Sequence, residues 1–446
     1  MPTRDDAAVV DLDQAVRIFQ KLVPAQALNL LQPLDSTAVY TPWIVSWLMV
    51  VQRLRGGATL ADALAELAGL DDDLLPDNKR VRQRSLSANT GGYSRARDRL
   101  TLGVAQSAAD QVAATLIAQA SASLEQRRVF LIDGSTLALA ATDSLRQAFP
   151  PATNQHGESH WPVLRLVTAH DLASGAAIRP EVGPMCGPKA AGEVALSAPL
   201  IARLPTGSVL VGDRNFGIFG FGLMARRAGH DILLRLTQSR FQAMARRAKS
   251  VGPGTWTLTW RPSAWERGKN LDWPADAALE VRLHEVRISP TSCLWLVTSL
   301  SQPAALLAEL YRGRVHVETD LRDLKQTLRL EELRGRSPEM VQKELAAATT
   351  AYNLVVLIRR LAAVHAQVEP RRLSFRRVWS LVKVLISHPV EATGLPDVER
   401  RIDHLIRMAG QCKLPNRPGR TYPREVIGRR SKFPQRRPKG NTNRPK

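Results

Sequence analysis

The chain of 446 residues carries 62 Lys and Arg against 41 Asp and Glu, a formal net charge of +21, with 44% hydrophobic and 5% aromatic residues. That length suits two or three domains, and that apolar content suits a sizeable core, which excludes a wholly disordered chain. The excess positive charge, carried mostly by arginine, attracts polyanions and phosphate oxygens.

Ribosomal and chromatin-like proteins are also basic, so charge alone leaves nucleic-acid binding open. Cys186, Cys293 and Cys412 lie too far apart for a zinc spacing or an obvious disulfide framework, and a reducing cytoplasm is expected. The start, Met1-Pro-Thr-Arg-Asp-Asp, lacks a basic-then-apolar signal segment. The apolar run 43–54 is too short to span a bilayer, so no membrane association is expected.

Residues from about 12 to 126 read as helices. Val16-Phe19-Leu22-Val23 and Leu60-Leu64-Leu67-Ala68 have helical spacing, and 100–117 is long and alanine-rich. Gly91-Gly92 reads as a break before the basic stretch Tyr93-Ser-Arg-Ala-Arg-Asp-Arg. A helical N-terminal DNA-binding domain over 1–126 is expected.

The texture changes at Arg127. Val-Phe-Leu-Ile-Asp133 reads as a buried strand ending in a carboxylate, and further strands are expected at 163–168, 208–212 and 231–236. Helices are expected between them at 190–204 and 219–228, which makes an α/β layer fold. Thr255–Trp260 and Leu279–Ile288 alternate with period two, the pattern of half-exposed antiparallel strands, and suggest a β insertion over 237–289. A buried strand at 293–300, a long helix over about 304–330 and another helical region over 340–368 follow. The expected division is thus 127–236 with 290–365 as the catalytic domain, and 366–446 as a helical, basic C-terminal region.

About half of the excess charge lies after Gln411, where twelve Lys and Arg are opposed only by Glu425. Prolines interrupt this tail repeatedly, so it is expected to remain mobile until it meets phosphate.

Two aspartates stand at strand ends, in Phe130-Leu-Ile-Asp133-Gly-Ser and Leu210-Val-Gly-Asp213-Arg-Asn-Phe216. Such positions are where α/β sheets present their sites, although a single aspartate there is more often a loop or capping residue. The segment 311–325 contains the spacing Y-x2-R-x3-E-x6-K. At about 100° per residue, Tyr311, Arg314, Glu318 and Lys325 fall within roughly 60° of arc, with Arg322 and Arg329 on the same face. Leu310, Val317, Leu321, Leu324 and Leu328 make a separate apolar stripe, and Asp320 and Asp323 point elsewhere. Taken alone, this face also fits a solvated row in which Glu318 pairs with Arg314 and Arg322.

Together these elements resemble a DDE transposase of bacterial insertion sequences, the branch with the YREK signature (insertion-sequence family four). The Asp133-Gly strand, Asp213-Arg-x-Phe, a β insertion and the signature helix stand in the family's order. Trp295-Leu-Val-Thr298 lies just ahead of the helix, and 344–357, with Ala351-Tyr-Asn-Leu, just behind it. The resemblance implies a ribonuclease H-like catalytic domain with a β-strand insertion. Asp133, Asp213 and Glu318 would hold two Mg²⁺ ions, with Mn²⁺ as a substitute, for cleavage and strand transfer by phosphoryl transfer.

The resemblance further implies that Tyr311, Arg314 and Lys325, with Arg322 beside them, contact DNA near the element end. Double-stranded DNA is the implied partner, as terminal inverted repeats and target, with a homodimer in the paired-end complex and a location at the bacterial nucleoid. Val315 stands where relatives can carry a capping tryptophan, and Trp295 is shifted by one residue from a helper tryptophan's position, so a hairpin intermediate is left open. Two other readings stay beside this one: a domesticated, non-catalytic DNA-binding derivative and another ribonuclease H-like nuclease. His156, His160 and His170 have no metal-site spacing, and Trp256 and Trp260 read as packing residues.

Overall fold

Short runs of Val, Leu and Ile bounded by polar and glycine-containing segments become the strands of one large mixed sheet. The computed structural model describes residues 15–33, 37–155, 157–290, 292–327, 329–387 and 395–415. The strands are β1 (Val129–Ala138), β2 (Pro151–Asn154), β3 (Gly157–Asp171), β4 (Glu181–Pro184) and β5 (Val209–Gly212). After them come β6 (Asp231–Arg235), β7 (Lys249–Gly252), β8 (Thr255–Trp260), β9 (Leu279–Ser289) and β10 (Ser292–Thr298). Their spatial order is β2-β3-β1-β5-β6-β10-β9-β8-β7, with β4 paired to β3. β1, β5 and β6 are parallel, whereas β3 and β10 are antiparallel to their neighbours. With helices packed against these strands, this is the α/β, ribonuclease H-like arrangement. β5 is buried throughout, as central parallel strands are.

β7, β8 and β9 continue the main sheet, because β10 pairs with β9 on one side and β6 on the other. Two further strands run longer than their apolar cores suggest. β1 does not end at Asp133 but continues to Ala138, paired with 163–171 of β3, and β3 covers 157–171 in place of 163–168, because its first residues pair with β2. Polar residues in this stretch sit on a ladder whose backbone groups are satisfied.

Gly91 and Gly92 do not break a helix. They form the first turn of helix Thr90–Arg99, where Asn89 caps the Gly91 amide at 2.8 Å. First-turn amides have no intrahelical acceptor, so this cap offsets part of glycine's cost.

The expected long helix over 304–330 is broken as well. It runs as Ala304–Arg312 and Val315–Arg322, followed by a π-helical turn at Asp323–Thr327. At the first break the amides of Gly313, Arg314, His316 and Val317 each bond three residues back, at 2.9–3.1 Å. This tightening winds the chain faster than an α-helix. Leu172 from the end of β3 comes within 3.1 Å of where a Cβ on Gly313 would sit, so a larger residue would be crowded there.

Helix Pro338–His365 is long and apolar enough to cross a membrane, and 83% of its apolar window is buried within the protein. It packs against helices Pro42–Leu54, Leu102–Ala118, Phe375–Ser387 and Leu395–Gly410. Glu344, within it, bonds to Arg53 at 2.7 Å, Arg97 at 2.8 Å and the amides of Arg334 and Gly335. Arg97 belongs to the basic stretch that follows Gly91-Gly92, and its charge is neutralised inside the protein. The Asn353 amide bonds both the N–H and the C=O of Ala177, at 2.8 and 2.9 Å, and so ties the same helix to the chain just past β3.

Candidate active site

The parallel register of β1 and β5 sets the two aspartates side by side. Its last paired rung is Leu131 with Val211, so Asp133 and Asp213 each lie two residues beyond it, level with one another. Side chains alternate along a strand, and equal offsets leave both carboxylates on the same side. β5 ends at Gly212, and Asp213 opens a turn in which its Oδ1 accepts from the Asn215 amide at 2.8 Å. Glycine precedes that turn because Phe216 folds back to within 2.8 Å of where a Gly212 Cβ would lie.

The third carboxylate arrives on helix Val315–Arg322, which packs on β1 and β3. Glu318 is exposed, and its Oε1 accepts from Arg314 Nη1 at 2.8 Å. Nη2 of the same guanidinium lies 3.3 Å from Asp133 Oδ2 and 3.7 Å from Asp213 Oδ2. Carboxylates from three separate elements thus meet around one cation. The pairing of Arg314 with Glu318 at i+4 is present, but it is not a solvated surface pair, because the Arg314 side chain is only 14% exposed.

Burial pushes the Asp133 carboxyl up to about 6; Arg314 and the Gly134 amide oppose this, while Asp213 and Glu193 add to it. A site that concentrates like charge in partial burial has the electrostatics of a cation-binding centre. Carboxylate oxygens are hard donors of the kind that divalent ions take; with Arg314 between them, no three acidic side chains among the described residues close around a common point.

Lys325, on the π-helical turn, reaches back to β1 and donates to Ser135 Oγ and Thr136 O, both at 3.1 Å. Tyr311 is buried and bonds the Arg235 side chain at the end of β6; burial pushes its hydroxyl up to about 12. Regular helical geometry does not produce this gathering, since the helix is interrupted on both sides of Glu318. Arg322 is exposed, with its charge beside Asp323, and Arg329 lies past the π-helical turn in a left-handed conformation. The structure does not draw either to the carboxylates. Leu310, Val317, Leu321 and Leu324 are buried as the stripe requires; Leu328 lies outside the described residues.

Two acidic residues of the site's surroundings escape a sequence reading. Asp320 is 1% exposed in its side chain and accepts both its bonds from Arg371 Nη1, at 2.7 and 2.8 Å. It anchors the Glu318 helix from behind, through a partner 51 residues away. Glu193, first residue of helix Glu193–Ile201, lies against Gly134 and bonds the Asn215 side chain. An acidic first turn is so ordinary that only the glycine beside Asp133 hints at a close neighbour.

The remaining sequence candidates have packing roles. Trp256 meets Phe241 edge-on, Trp260 meets Phe219, and His170 is fully buried against Tyr352. Trp295 donates to Glu285 on the adjoining strand at 3.2 Å. His156 and the basic tail beyond 415 lie outside the described residues.

Comparison with known proteins bears on this geometry. The family described as transposase DDE domain matches residues 124–354, a span from just before β1 into helix Pro338–His365 that contains all three carboxylates. Transposase InsG for insertion sequence element IS4, from Escherichia coli (strain K12), is 26% identical over 316 residues, covering 68% of this chain and 68% of that protein.

Proposed function

The chain belongs to the transposase DDE domain family, and on that premise we propose that Asp133, Asp213 and Glu318 are its catalytic carboxylates. As a DDE transposase it is a metal-dependent enzyme that cleaves DNA and transfers strands. The observation carrying the assignment is the convergence of these three side chains on the Arg314 guanidinium.

The three carboxylates would hold two Mg²⁺ ions, for which Mn²⁺ can substitute. Divalent ions held there would supply the Lewis-acid stabilisation that an in-line displacement at phosphorus needs. The protein's own part is to orient the strand. Arg314 reaches all three carboxylates, and it exchanges part of that contact for phosphate oxygens when DNA enters. Lys325, tethered to β1, and Tyr311, braced by Arg235, flank the same phosphate. Arg322 is exposed on the next turn and is placed to meet the backbone further along.

The DNA is the element's own terminal inverted repeats and then the target. Two ends bridged by a homodimer complete a cut-and-paste cycle at the nucleoid. The helical region before Arg127 and the basic tail supply the rest of the DNA contact.

Asp133→Ala, Asp213→Ala and Glu318→Ala should each abolish cleavage of element-end DNA in Mg²⁺ while binding to that DNA persists. Any one of them cleaving as the unaltered protein does removes its residue from the centre.

A further inference from the structure

Helix Val315–Arg322 is eight residues long, with a tightened turn before it and a π-helical turn after it. A regular hydrogen-bond ladder runs through neither flank. The rotation of this short helix, and its height above the sheet, therefore depend on its side-chain contacts.

Asp320 supplies one of those contacts and differs from the rest. At 100° per residue it lies about 200° round the axis from Glu318, on nearly the opposite side of the helix. Val317 and Leu321 are held by apolar packing. Asp320 is just as buried, yet both of its oxygens accept from Arg371 Nη1, at 2.8 and 2.7 Å. Apolar surfaces can slide on one another, whereas hydrogen bonds fix a distance and a direction.

The far end of this contact is itself held by backbone. Arg371 comes from the region after residue 365, within the 3-10 turn Pro370–Arg372. The Leu414 amide donates to Arg372 O at 2.7 Å and the Ser374 amide to Cys412 O at 2.8 Å, on either side of the buried Leu373. Arg359 is the other arginine near Asp320, but its guanidinium lies over the Phe375 ring, 5.6 Å from the centroid.

A buried pair of opposite charges is a weak device for stability alone, since apolar side chains of similar volume often serve as well or better. What the charged pair adds is a defined position for the helix that carries it.

We propose that Arg371 is a positioning residue for DNA cleavage: through Asp320 it fixes the rotation of the helix that presents Glu318 to the two aspartates. The inference rests on the reading of Glu318 as a catalytic carboxylate. It makes a residue of the C-terminal region part of what sets the catalytic geometry, from behind the helix and away from the carboxylates.

The test takes the full-length protein, element-end DNA and Mg²⁺, and measures the cleavage rate at saturating DNA, the affinity for that DNA and the melting temperature. Arg371→Ala should lower the saturating rate at least about tenfold, because a misplacement of about 1 Å at a reacting centre costs on the order of a hundredfold. Its affinity for the DNA should be unchanged. The loss should persist well below the variant's melting temperature, where the protein is folded.

If Arg371→Ala melts earlier but cleaves at the unaltered rate once folded, while Glu318→Ala is inactive, the pair serves the fold alone and the proposal fails by itself. If Glu318→Ala cleaves normally, the reading of Glu318 falls and takes this proposal with it. A rate that recovers fully at higher DNA concentration would show lost binding rather than lost position, and would also overturn it. Should Arg371→Ala not fold, Asp320→Asn decides the matter, since it keeps the size but gives up the charge and one of the two accepting oxygens. A lowered saturating rate with unchanged DNA affinity in Asp320→Asn supports the proposal, and a normal rate overturns it.

Discussion

The guanidinium of Arg314 lies 3.3 Å from the carboxylate of Asp133, across the gap between the Glu318 helix and the central strand. The same group serves Glu318 and Asp213. An arginine one turn before a glutamate is commonplace on a helix surface. Here the helix is folded down on the sheet, and its ion pair has become the counter-charge of a three-carboxylate centre.

Arg314→Ala should therefore affect stability as well as chemistry. In EDTA the carboxylates lose their counter-charge, and the melting temperature should fall by a few degrees. Excess Mg²⁺ should restore much of that loss. Cleavage of element ends should drop at least about tenfold, the scale of one lost contact of roughly 1.4 kcal/mol, and Lys325→Ala should show the same drop. Equal melting temperatures for Arg314→Ala and the unaltered protein in EDTA would remove the counter-charge role.

Glu344→Ala should be far more damaging to the fold. It strips the partner from two guanidinium groups, Arg53 and Arg97, at 6% and 13% side-chain exposure. Breaking a buried pair by deleting one member costs about 3–5 kcal/mol. Urea unfolding should show a loss of that order, and a loss below about 1 kcal/mol would mean that the arginines find other partners.

His170 should make the protein acid-sensitive. Burial pushes its pKa down to about 4, from 6.5 for an ordinary imidazole. Between those values the unfolded chain binds a proton that the folded one does not, so this contribution is complete above 6.5 and fades as pH falls toward 4. Asp133 and Asp323, both raised to about 6 by burial, act in the opposite sense, losing stability as pH rises from about 4 to 6. Comparison with His170→Leu isolates the histidine: acidification from pH 7 to 4.5 should lower the unaltered protein's melting temperature more than the variant's. Parallel curves would contradict the assignment.

The tail should be cut after Pro415 rather than after Gln411. Ser374 bonds Cys412, Leu414 bonds Arg372, and Lys413 bridges to Leu373, so 412–414 are part of the folded body. Removal of 416–446 takes away eleven Lys and Arg and one Glu. Affinity for all DNA should fall about equally and its salt dependence should flatten, because the loss is of counterion release. A selective loss of preference for element ends would show instead that the tail reads sequence.

The sheet and the two aspartates were legible because apolar runs ending in a carboxylate are local features. Glu318, Arg314 and Lys325 are singled out by their spacing together with the resemblance to the family, since spacing alone also fits a solvated row, and the geometry that unites them is not a regular helix. Periodicity cannot register the tightened turn at Gly313 or the π-helical turn at Asp323, which depend on contacts such as Leu172 against Gly313. Asp320 and Arg371, or Arg97 and Glu344, are invisible for another reason. Each pair joins residues far apart in the chain, and a charged side chain looks the same in sequence whether it is solvated or buried.

The level placement of Asp133 and Asp213 bears on how this chain can change in length. Inserting or deleting one residue between Leu131 and Asp133, or between Val211 and Asp213, would turn one carboxylate to the opposite face of the sheet. The stretch 261–278 between β8 and β9 carries no ladder pairing, so a change of length there shifts no strand register. A change of length in that stretch leaves the two aspartates in register, while the few residues around the two rungs must keep their count.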